Sequence, residues 1–379
     1  MPSPVNLFDP SHYVAVRRPL LEAENLPAWC YRAPEFHARE VERIFLRSWL
    51  FVGRADEIAN AGDYVTLDTP GGPVAIVRDR EGALRAFANS CRHRGSRLLD
   101  GKGNRRSIVC PYHGWTYGLD GTLAGAPHME RTVGFERARH GLSPVALDSW
   151  QGFLFVSFDP APPSLMEWLG DMPERFRCYN FSDMVAVRRR DYALACDWKL
   201  VLENALEDYH TAFVHRGSLG MQEEHPEPTA GQWEALFMPG KRTIALLPGE
   251  PERLPHIPTL AGNPARGTYF TVLYPNTQFA CTLDCMWWLT FWPTGPARTR
   301  VSVGFSFPRG TVARPDFEDA AERYFHRWDV SIAEDNATGE LQQVGLGSVL
   351  RRPGPYSWKE TMVHRLANWV LDRVLDRAG

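Results

Sequence analysis

This chain lacks the features that would place it in a membrane, on a nucleic acid or in a repeat architecture. Its longest apolar runs, such as Phe153-Leu154-Phe155-Val156, are far too short to span a bilayer. The N-terminal stretch has no basic start followed by an apolar run, so we expect no signal peptide. A net charge of −3 gives no basic surface for nucleic acid or an anionic membrane. With 379 residues, 44% of them hydrophobic, the chain is expected to form two globular domains.

Cysteine is sparse and its count is odd, which argues against a disulfide framework. Of the seven cysteines, Cys91 and Cys110 each stand in a short loop that also carries a histidine. Cys281 and Cys285 could form another metal pair, but no nearby histidine or cysteine completes the set. We therefore expect free thiols in a reducing cytoplasm at Cys30, Cys178, Cys196, Cys281 and Cys285.

The two loops around Cys91 and Cys110 each pair one thiol with one imidazole. They read Cys91-Arg92-His93-Arg94-Gly95 and Cys110-Pro111-Tyr112-His113-Gly114-Trp115. Mixed ligand pairs suit a 2Fe-2S cluster with two unlike irons, one held by Cys91 and Cys110 and the other by His93 and His113. A zinc site with the same ligands is the alternative, although structural zinc sites commonly take both cysteines from one loop.

The residues around these ligands carry a family resemblance. Gly95 and Gly114 allow tight loops around a bulky cofactor. Together with Arg94-Gly95, Pro111-Tyr112 and Gly114-Trp115, the two loops closely resemble the Rieske motif of the Rieske non-haem iron oxygenases (α subunits). Rieske clusters also occur in ferredoxins and respiratory complexes, so an electron carrier without oxygenase activity is an alternative.

A second group of candidate ligands lies at His210 and His215. Apolar residues at helical spacing predict one helix over residues 198–215. Five residues turn about 500° on a regular helix, so the two imidazoles would point about 140° apart. They can bind one ion only if the helix ends or distorts between them, a departure found at functional sites. Without further signals, two histidines at this spacing are more often ordinary helix residues.

The sequence around these histidines extends the resemblance. Residues 198–204, followed by Glu207-x-Tyr209-His210 and by His215, resemble the mononuclear iron segment of the same oxygenases. The resemblance implies that His210 and His215 bind Fe(II) with one carboxylate, in a facial triad that leaves positions open for O2 and substrate.

The third ligand is expected far along the chain. Residues 334–346 resemble the family segment in which an acid precedes a Gln-x-Gly-Leu element. The resemblance matches Asp335 to the ligand, with Glu334 and Glu340 as alternatives. For any single acid here, a solvated helix face is the ordinary interpretation.

Glu207 lies three residues before His210, so its carboxylate can accept a hydrogen bond from that imidazole. In the family, an acid here bridges to a cluster histidine of the neighbouring subunit. The resemblance therefore implies an electron path from His113 of one protomer to Glu207 and His210 of the next, and a homotrimer. Ring-hydroxylating dioxygenases commonly carry Asp at this position, whereas Glu is frequent in relatives that oxidise quaternary ammonium compounds. Asp197 stands where the family usually has Asn, a departure without an interpretation from sequence.

The resemblance covers nearly the whole chain and implies an α+β protein. An all-β Rieske domain precedes a helix-grip (START-like) catalytic domain that has an antiparallel sheet and helices. We expect an N-terminal segment over residues 1–45 that packs on the catalytic domain, the Rieske 2Fe-2S domain over 46–160 and the catalytic mononuclear iron domain over 161–379. The residue patterns further predict helices over 34–49, 317–343 and 360–374, and a buried strand over 150–158.

These parts together imply a terminal oxygenase. A reductase delivers electrons from NAD(P)H to the cluster, and the mononuclear iron uses them with O2 to oxidise a small organic substrate. The chain has no Gly-rich dinucleotide loop after a strand and no further set of four cysteines. We therefore expect a separate flavin/iron-sulfur reductase.

The substrate is suggested by Glu207 and by the aromatic residues of the predicted catalytic sheet. Such residues can bind a trimethylammonium group by cation–π attraction, flank a flat aromatic ring or simply fill the core. The pattern favours N-demethylation or hydroxylation of a quaternary ammonium or N-methyl compound, with aromatic-ring hydroxylation as the alternative. The aromatic residues are Tyr269, Phe270, Tyr274, Phe279, Trp287, Trp288, Phe291 and Trp292.

Overall fold

Two antiparallel sheets organise the chain, each in its own unit of this computed structural model. The structure describes residues 6–375. One unit comprises Leu46–Leu165, and the other joins the residues up to Phe45 with those from Met166 onward. The catalytic domain was expected from residue 161, and the second unit resumes at Met166. The predicted α+β class is confirmed.

The Leu46–Leu165 unit is built from strands. A seven-stranded sheet has the order β1-β10-β9-β4-β3-β2-β5, and β6, β7 and β8 form a second, three-stranded sheet. The strands are β1 Leu50–Arg54, β2 Asp63–Thr69, β3 Gly72–Arg78, β4 Leu84–Ala88, β5 Lys102–Asn104, β6 Ile108–Val109, β7 Thr116–Tyr117, β8 Leu123–Gly125, β9 Pro144–Trp150 and β10 Phe153–Ser157.

The predicted single strand over residues 150–158 is wrong, because a hairpin turn interrupts it. β9 ends at Trp150 and β10 begins at Phe153, and these two residues face each other across the hairpin. Gln151 and Gly152 form the turn with φ values of 45° and 85°. Two consecutive residues in the left-handed region are typical of the two-residue turns that match the twist of a hairpin.

The second unit combines a long sheet with helices. All neighbours in the sheet are antiparallel, in the order β11-β17-β16-β15-β14-β13-β12. The strands are β11 Met184–Leu194, β12 His225–Glu227, β13 Trp233–Pro239, β14 Gly267–Leu273, β15 Thr277–Cys281, β16 Met286–Gly295 and β17 Arg298–Pro308. The α-helices are α1 Pro34–Arg43, α2 Leu165–Leu169, α3 Met172–Arg175, α4 Trp198–Asn204, α5 Thr211–Val214, α6 Arg309–Val312, α7 Phe317–Gly345 and α8 Thr361–Val374.

The longest helix, α7, packs against both α4 and α5. Phe317, Tyr324, Trp328 and Ile332 are buried at intervals of roughly one or two turns. The predicted helix over 34–49 is shorter in the structure, because α1 ends at Arg43 and a 3-10 turn follows at Phe45–Arg47. No helix in the described residues is long and apolar enough to cross a membrane.

A buried ionic cluster joins the N-terminal segment to α4. Lys199 Nζ lies 2.6 Å from Glu40 Oε1 on α1 and 2.6 Å from Asp197 Oδ1. Asp197 also caps α4, since its Oδ1 accepts the Lys199 N–H at 3.0 Å. Its own N–H donates to Gln343 Oε1 on α7 at 2.9 Å. Asp197, uninterpreted from sequence, therefore holds α1, α4 and α7 together.

Candidate metal centres

The loops of Cys91 and Cys110 place thiols inside and imidazoles outside. Both cysteines are buried in the core of the strand-built unit, whereas His93 and His113 are exposed. The two imidazole rings lie 4.8 Å apart between centroids, so the two loops face each other. The second loop joins the paired strands β6 and β7, whereas β4 and β5, on either side of the first loop, are not neighbours in the sheet.

Each loop turns back at its glycine. The Gly95 N–H donates to the Cys91 carbonyl at 2.9 Å, and the Gly114 N–H to the Cys110 carbonyl at 3.1 Å. Gly95 and Gly114 have φ values of 75° and 73°, in the left-handed region that glycine adopts without strain. The two turns therefore need glycine for a backbone reason, as the sequence predicts.

Tyr117, on β7, holds the first loop in place through contacts of its hydroxyl group. Its hydroxyl accepts the Arg92 N–H at 3.0 Å and lies 3.3 Å from Cys91 Sγ. The tyrosine side chain is fully buried. It is one residue that the sequence analysis missed, because nothing in its local sequence marks a contact with the cysteine.

The donor set fits a 2Fe-2S cluster with unlike irons. Burial raises the pKa of Cys110, but the backbone N–H groups of Tyr112 and His113 outweigh burial and hold that pKa below its ordinary value of 9.0. N–H groups directed at a sulfur favour the thiolate that a metal binds. Buried thiolates beside exposed imidazoles suit one iron held inside by sulfur and one held near the surface by nitrogen.

The predicted single helix over residues 198–215 is wrong, and its break shapes the second site. α4 ends at Asn204, and α5 comprises only Thr211–Val214. The Glu207 carboxylate accepts the His210 N–H at 3.0 Å, a donor that an unbroken helix would use internally. His210 and His215 therefore flank α5 at its two ends, and His215 already has non-helical backbone angles.

Two carboxylates lie within hydrogen-bond distance of the Nδ1 atoms of these imidazoles. His210 Nδ1 lies 2.7 Å from Glu207 Oε1, and His215 Nδ1 lies 2.7 Å from Glu334 Oε2. Ser218 Oγ also donates to Glu334 Oε2, at 2.6 Å. Both Nε2 atoms are left to face Asp335: its Oδ1 is 3.6 Å from His210 Nε2 and 3.2 Å from His215 Nε2.

This constellation fits a divalent metal ion. One ligand atom from each of His210, His215 and Asp335 lies within 4.8 Å of the others. Asp335 Oδ1 is buried and makes no hydrogen bond, which is costly for a carboxylate oxygen unless a cation satisfies it. Burial lowers the pKa of His215, but Asp335 and Glu334 outweigh burial and raise it above 6.5, which reports a negative local potential. Two imidazoles and one carboxylate are the donors that non-haem Fe(II) uses.

The two alternative acids have other roles in the structure. Glu334 binds the far side of His215, and Glu340 Oε1 accepts the Ala195 N–H at 2.8 Å. Spacing on a helix could not separate these acids from Asp335, because Glu334 meets His215 across 119 residues of sequence.

A cavity of about 70 Å³ adjoins the three candidate ligands. Of the eight aromatic residues named from sequence, Phe270 and Phe291 line it, and Trp328 of α7 adds a third ring. Glu224 and Arg327, which sequence analysis missed, also line it. A larger cavity of about 400 Å³ shares the lining residues Leu219 and Gln222 with the small one.

The broken segment between α4 and α5 is fixed by a buried acid. Asp208 pairs with Lys359 Nζ at 3.0 and 3.2 Å, and its Oδ2 accepts the Glu224 N–H at 3.0 Å. One carboxylate thus ties the break to the start of α8 and to the segment that carries Glu224.

Comparisons with protein families match both units. Residues 48–145 match the Rieske [2Fe-2S] domain. Residues 181–376 match the ring hydroxylating alpha subunit (catalytic domain). The two matches cover the cysteine and histidine loops and the three candidate ligands of the second site.

Individual proteins are similar over most or half of the chain. The glycine betaine monooxygenase oxygenase subunit of Chromohalobacter salexigens is 31% identical over 93% of this chain and 86% of its own length. The carnitine monooxygenase oxygenase subunit of Escherichia coli is 36% identical over 52% of this chain and 53% of its own. The crystal structure of the quaternary ammonium Rieske monooxygenase CntA with L-carnitine superposes with a TM-score of 0.77 at 24% identity, covering 93% of this chain and 96% of that one.

Proposed function

This chain belongs to the Rieske non-haem iron oxygenases, as a ring-hydroxylating type α subunit, and from that premise we propose that it demethylates a quaternary ammonium or N-methyl compound. It is an oxygenase component with a Rieske 2Fe-2S cluster and a mononuclear iron, and a separate reductase supplies its electrons. When bound, these groups supply one-electron transfer and the activation of O2.

We assign the cluster to Cys91, His93, Cys110 and His113, and the mononuclear iron to His210, His215 and Asp335. The observation that carries the second assignment is the buried Asp335 Oδ1, which makes no hydrogen bond and is faced by two imidazole nitrogens. Glu207 and Glu334 keep the imidazole protons on Nδ1, so that Nε2 is free to bind metal.

The proposed reaction consumes one O2, two electrons from NAD(P)H and two protons. One oxygen atom enters a C–H bond of an N-methyl group, and the other leaves as water. The resulting N-hydroxymethyl group separates as formaldehyde and leaves an amine with one methyl group fewer. The protein's part is to bind the methyl group beside the iron site and to exclude bulk water from the small cavity.

The cavity supports a cationic substrate. Phe270, Phe291 and Trp328 line the cavity, and aromatic rings attract an alkylammonium group. The similar proteins from Chromohalobacter salexigens and Escherichia coli are named for glycine betaine and carnitine, which are both trimethylammonium compounds.

We further propose a homotrimer in the cytoplasm, with electron transfer between subunits. Glu207 is hydrogen-bonded to His210, and we expect it to reach His113 of the next protomer. His113 is exposed on its own chain, as a residue that meets a neighbour must be before assembly. Cys30, Cys178, Cys196, Cys281 and Cys285 form no disulfide in the described chain, which suits a reducing compartment.

The first test is a substrate screen with a surrogate reductase. Trimethylammonium compounds and aromatic acids are compared for substrate-dependent O2 uptake, with formaldehyde measured alongside. We expect O2 uptake and formaldehyde in equal amounts with an N-methyl compound. Uptake with aromatic acids alone would overturn the proposed function in favour of ring hydroxylation.

The iron assignment is tested by Asp335→Ala. We expect the variant to keep the red colour of its cluster and to lose turnover by at least about 10³-fold, since one of three protein ligands is gone. Glu340→Gln, a matched change on the same helix, should retain activity because Gln can still accept the Ala195 N–H. Substrate-dependent O2 uptake by Asp335→Ala would sink the assignment.

A further inference from the structure

The cavity beside the candidate iron site contains a buried guanidinium that no acid pairs with directly. Arg327 is 2% exposed and lies on α7, eight residues before Asp335. Its Nε donates to the Ile244 carbonyl and its Nη1 to Ser331 Oγ, both at 3.1 Å. Within residues 6–375, Nη2 has no hydrogen-bond acceptor, and no carboxylate lies within 4.0 Å of the three nitrogens.

Burying such a charge without a directly bonded counter-ion costs free energy. Desolvation of an ion costs several kcal/mol in a protein interior. The rings of Trp287 and Trp328 lie 5.5 and 4.2 Å from the guanidinium carbon, and cation–π attraction offsets part of that cost. Burial lowers the pKa of Arg327 to about 10, so the side chain stays charged at neutral pH. The carboxylates of Asp335, Glu224 and Glu334 act on Arg327 only at longer range, and an anion brought by a ligand would supply a partner at hydrogen-bond distance.

Arg327 stands where the two cavities meet. It lines the small cavity together with Asp335, while Ile244, which accepts its Nε–H, lines the larger one. Eight residues of helix place Arg327 and Asp335 about 12 Å apart along the axis of α7. A ligand with one end at the iron site and the other at Arg327 therefore needs a short chain between its two ends.

Other residues that line the small cavity suit a ligand group of the opposite charge. Phe270 and Phe291 suit a cationic group, whereas the guanidinium suits an anionic one. A substrate that satisfies both is a zwitterion with an alkylammonium head and a carboxylate tail. A simple cationic alcohol would leave Arg327 without a partner.

We propose that the substrate is a betaine, a trimethylammonium compound that carries a carboxylate, and that Arg327 binds this carboxylate. The ammonium head then lies among Phe270, Phe291 and Trp328, with one methyl group directed at the iron site. The proposal rests on the proposed demethylation and adds the carboxylate and the residue that selects it.

The wild-type holoenzyme tests the carboxylate requirement without any variant. Glycine betaine, its methyl ester and choline carry the same head, but only the first carries a carboxylate. γ-Butyrobetaine adds a longer spacer. Of glycine betaine and γ-butyrobetaine, we take the one that binds more tightly. We expect its Kd, measured by anaerobic calorimetry, to be at least about tenfold below that of the ester and of choline. Equal or tighter binding of the ester or of choline overturns the proposal, while O2 uptake with choline would leave the demethylation intact.

Arg327→Gln tests the residue. We expect it to raise the Kd and KM of the acid by about 10- to 100-fold, to leave those of the ester nearly unchanged and to alter kcat less than KM. Arg323→Gln, one turn earlier on the exposed face of α7, is the matched control and should keep the wild-type ratio of acid to ester.

A purely structural role of Arg327 would weaken acid and ester equally, and that result also overturns the proposal. Iron content and the cluster spectrum report whether each variant is folded. Arg327→Lys keeps the positive charge and should retain part of the preference for the acid. If Arg327→Gln fails to hold iron, the lysine variant decides the question. Complete loss of the preference for the acid in an Arg327→Lys protein that retains its iron would contradict a charge-based role.

Discussion

Single side chains decide which nitrogen of each imidazole is free. Glu207 and Glu334 can only accept, so His210 and His215 must carry their protons on Nδ1. The lone pairs on Nε2 then point towards Asp335, and the donor set exists before a metal arrives. A single side chain has a similar effect at the first site. The Tyr117 hydroxyl accepts the Arg92 N–H, so its own proton is available to be donated to Cys91 Sγ.

Tyr117→Phe should lower the reduction potential of the cluster. A proton donated to a ligating sulfur stabilises the more negative, reduced cluster, and the phenylalanine removes that donor. Redox titration followed by circular dichroism measures the midpoint potential. Tyr64→Phe, which loses a hydrogen bond to the Asp100 carbonyl in the same unit, is the control and should leave the potential unchanged. An unchanged potential in Tyr117→Phe would show that the hydroxyl does not act on the sulfur.

At the scale of elements, the N-terminal segment and α4 meet around buried ionisable groups. Lys199 is compensated by Glu40 and Asp197 at once. At the end of α4, Glu203 accepts the Tyr31 hydroxyl at 2.7 Å. Burial raises the pKa of Glu203 to about 7, despite this hydrogen bond and the nearby Lys199. The junction therefore prefers a protonated Glu203.

This junction predicts a pH dependence of stability. The folded pKa of Glu203, about 7, lies above its ordinary 4.5, so the stabilisation is complete below pH 4.5 and is lost as pH rises through 7. Glu203→Gln should remove roughly 2–3 kcal/mol of the difference in unfolding free energy between pH 5 and pH 8. Urea unfolding followed by tryptophan fluorescence measures it. Glu322→Gln, an exposed change on α7, should behave as wild type. Parallel pH profiles for Glu203→Gln and wild type would contradict the assignment.

At the scale of the whole molecule, the cluster and the iron belong to different units of one chain. The proposed trimer supplies each iron with the cluster of a neighbour, through His113 and Glu207. A cyclic arrangement lets every subunit act once as donor and once as acceptor.

Hybrid oligomers test this route. A Cys91→Ser chain lacks the cluster and a His210→Ala chain lacks the iron, so neither is active alone. Co-expressed in equal amounts, they should recover about one quarter of wild-type activity per site, because both partners of an interface must be competent. A mixture of the two purified variants without subunit exchange is the control and should be inactive. Inactive hybrids with correct metal contents would show that electrons stay within one chain.

The sequence by itself determined the ligand types. Cysteine and histidine stand two or three residues apart in each cluster loop, so local chain geometry alone keeps each pair within reach of one cluster. Gly95 and Gly114 were predictable for the same reason, since a tight turn is a local property. The helices α7 and α8 were likewise visible in the apolar pattern.

The tertiary structure alone decided which distant groups meet. The break after Asn204 depends on the side chains of Glu207 and Asp208, whose partners include Lys359, and these override helix periodicity. The distinction between Glu334 and Asp335 depends on which acid reaches each face of His215 across the fold. The roles of Asp197 and Arg327 could not be predicted from the local sequence. The role of a buried charge depends on which groups the tertiary packing places around it.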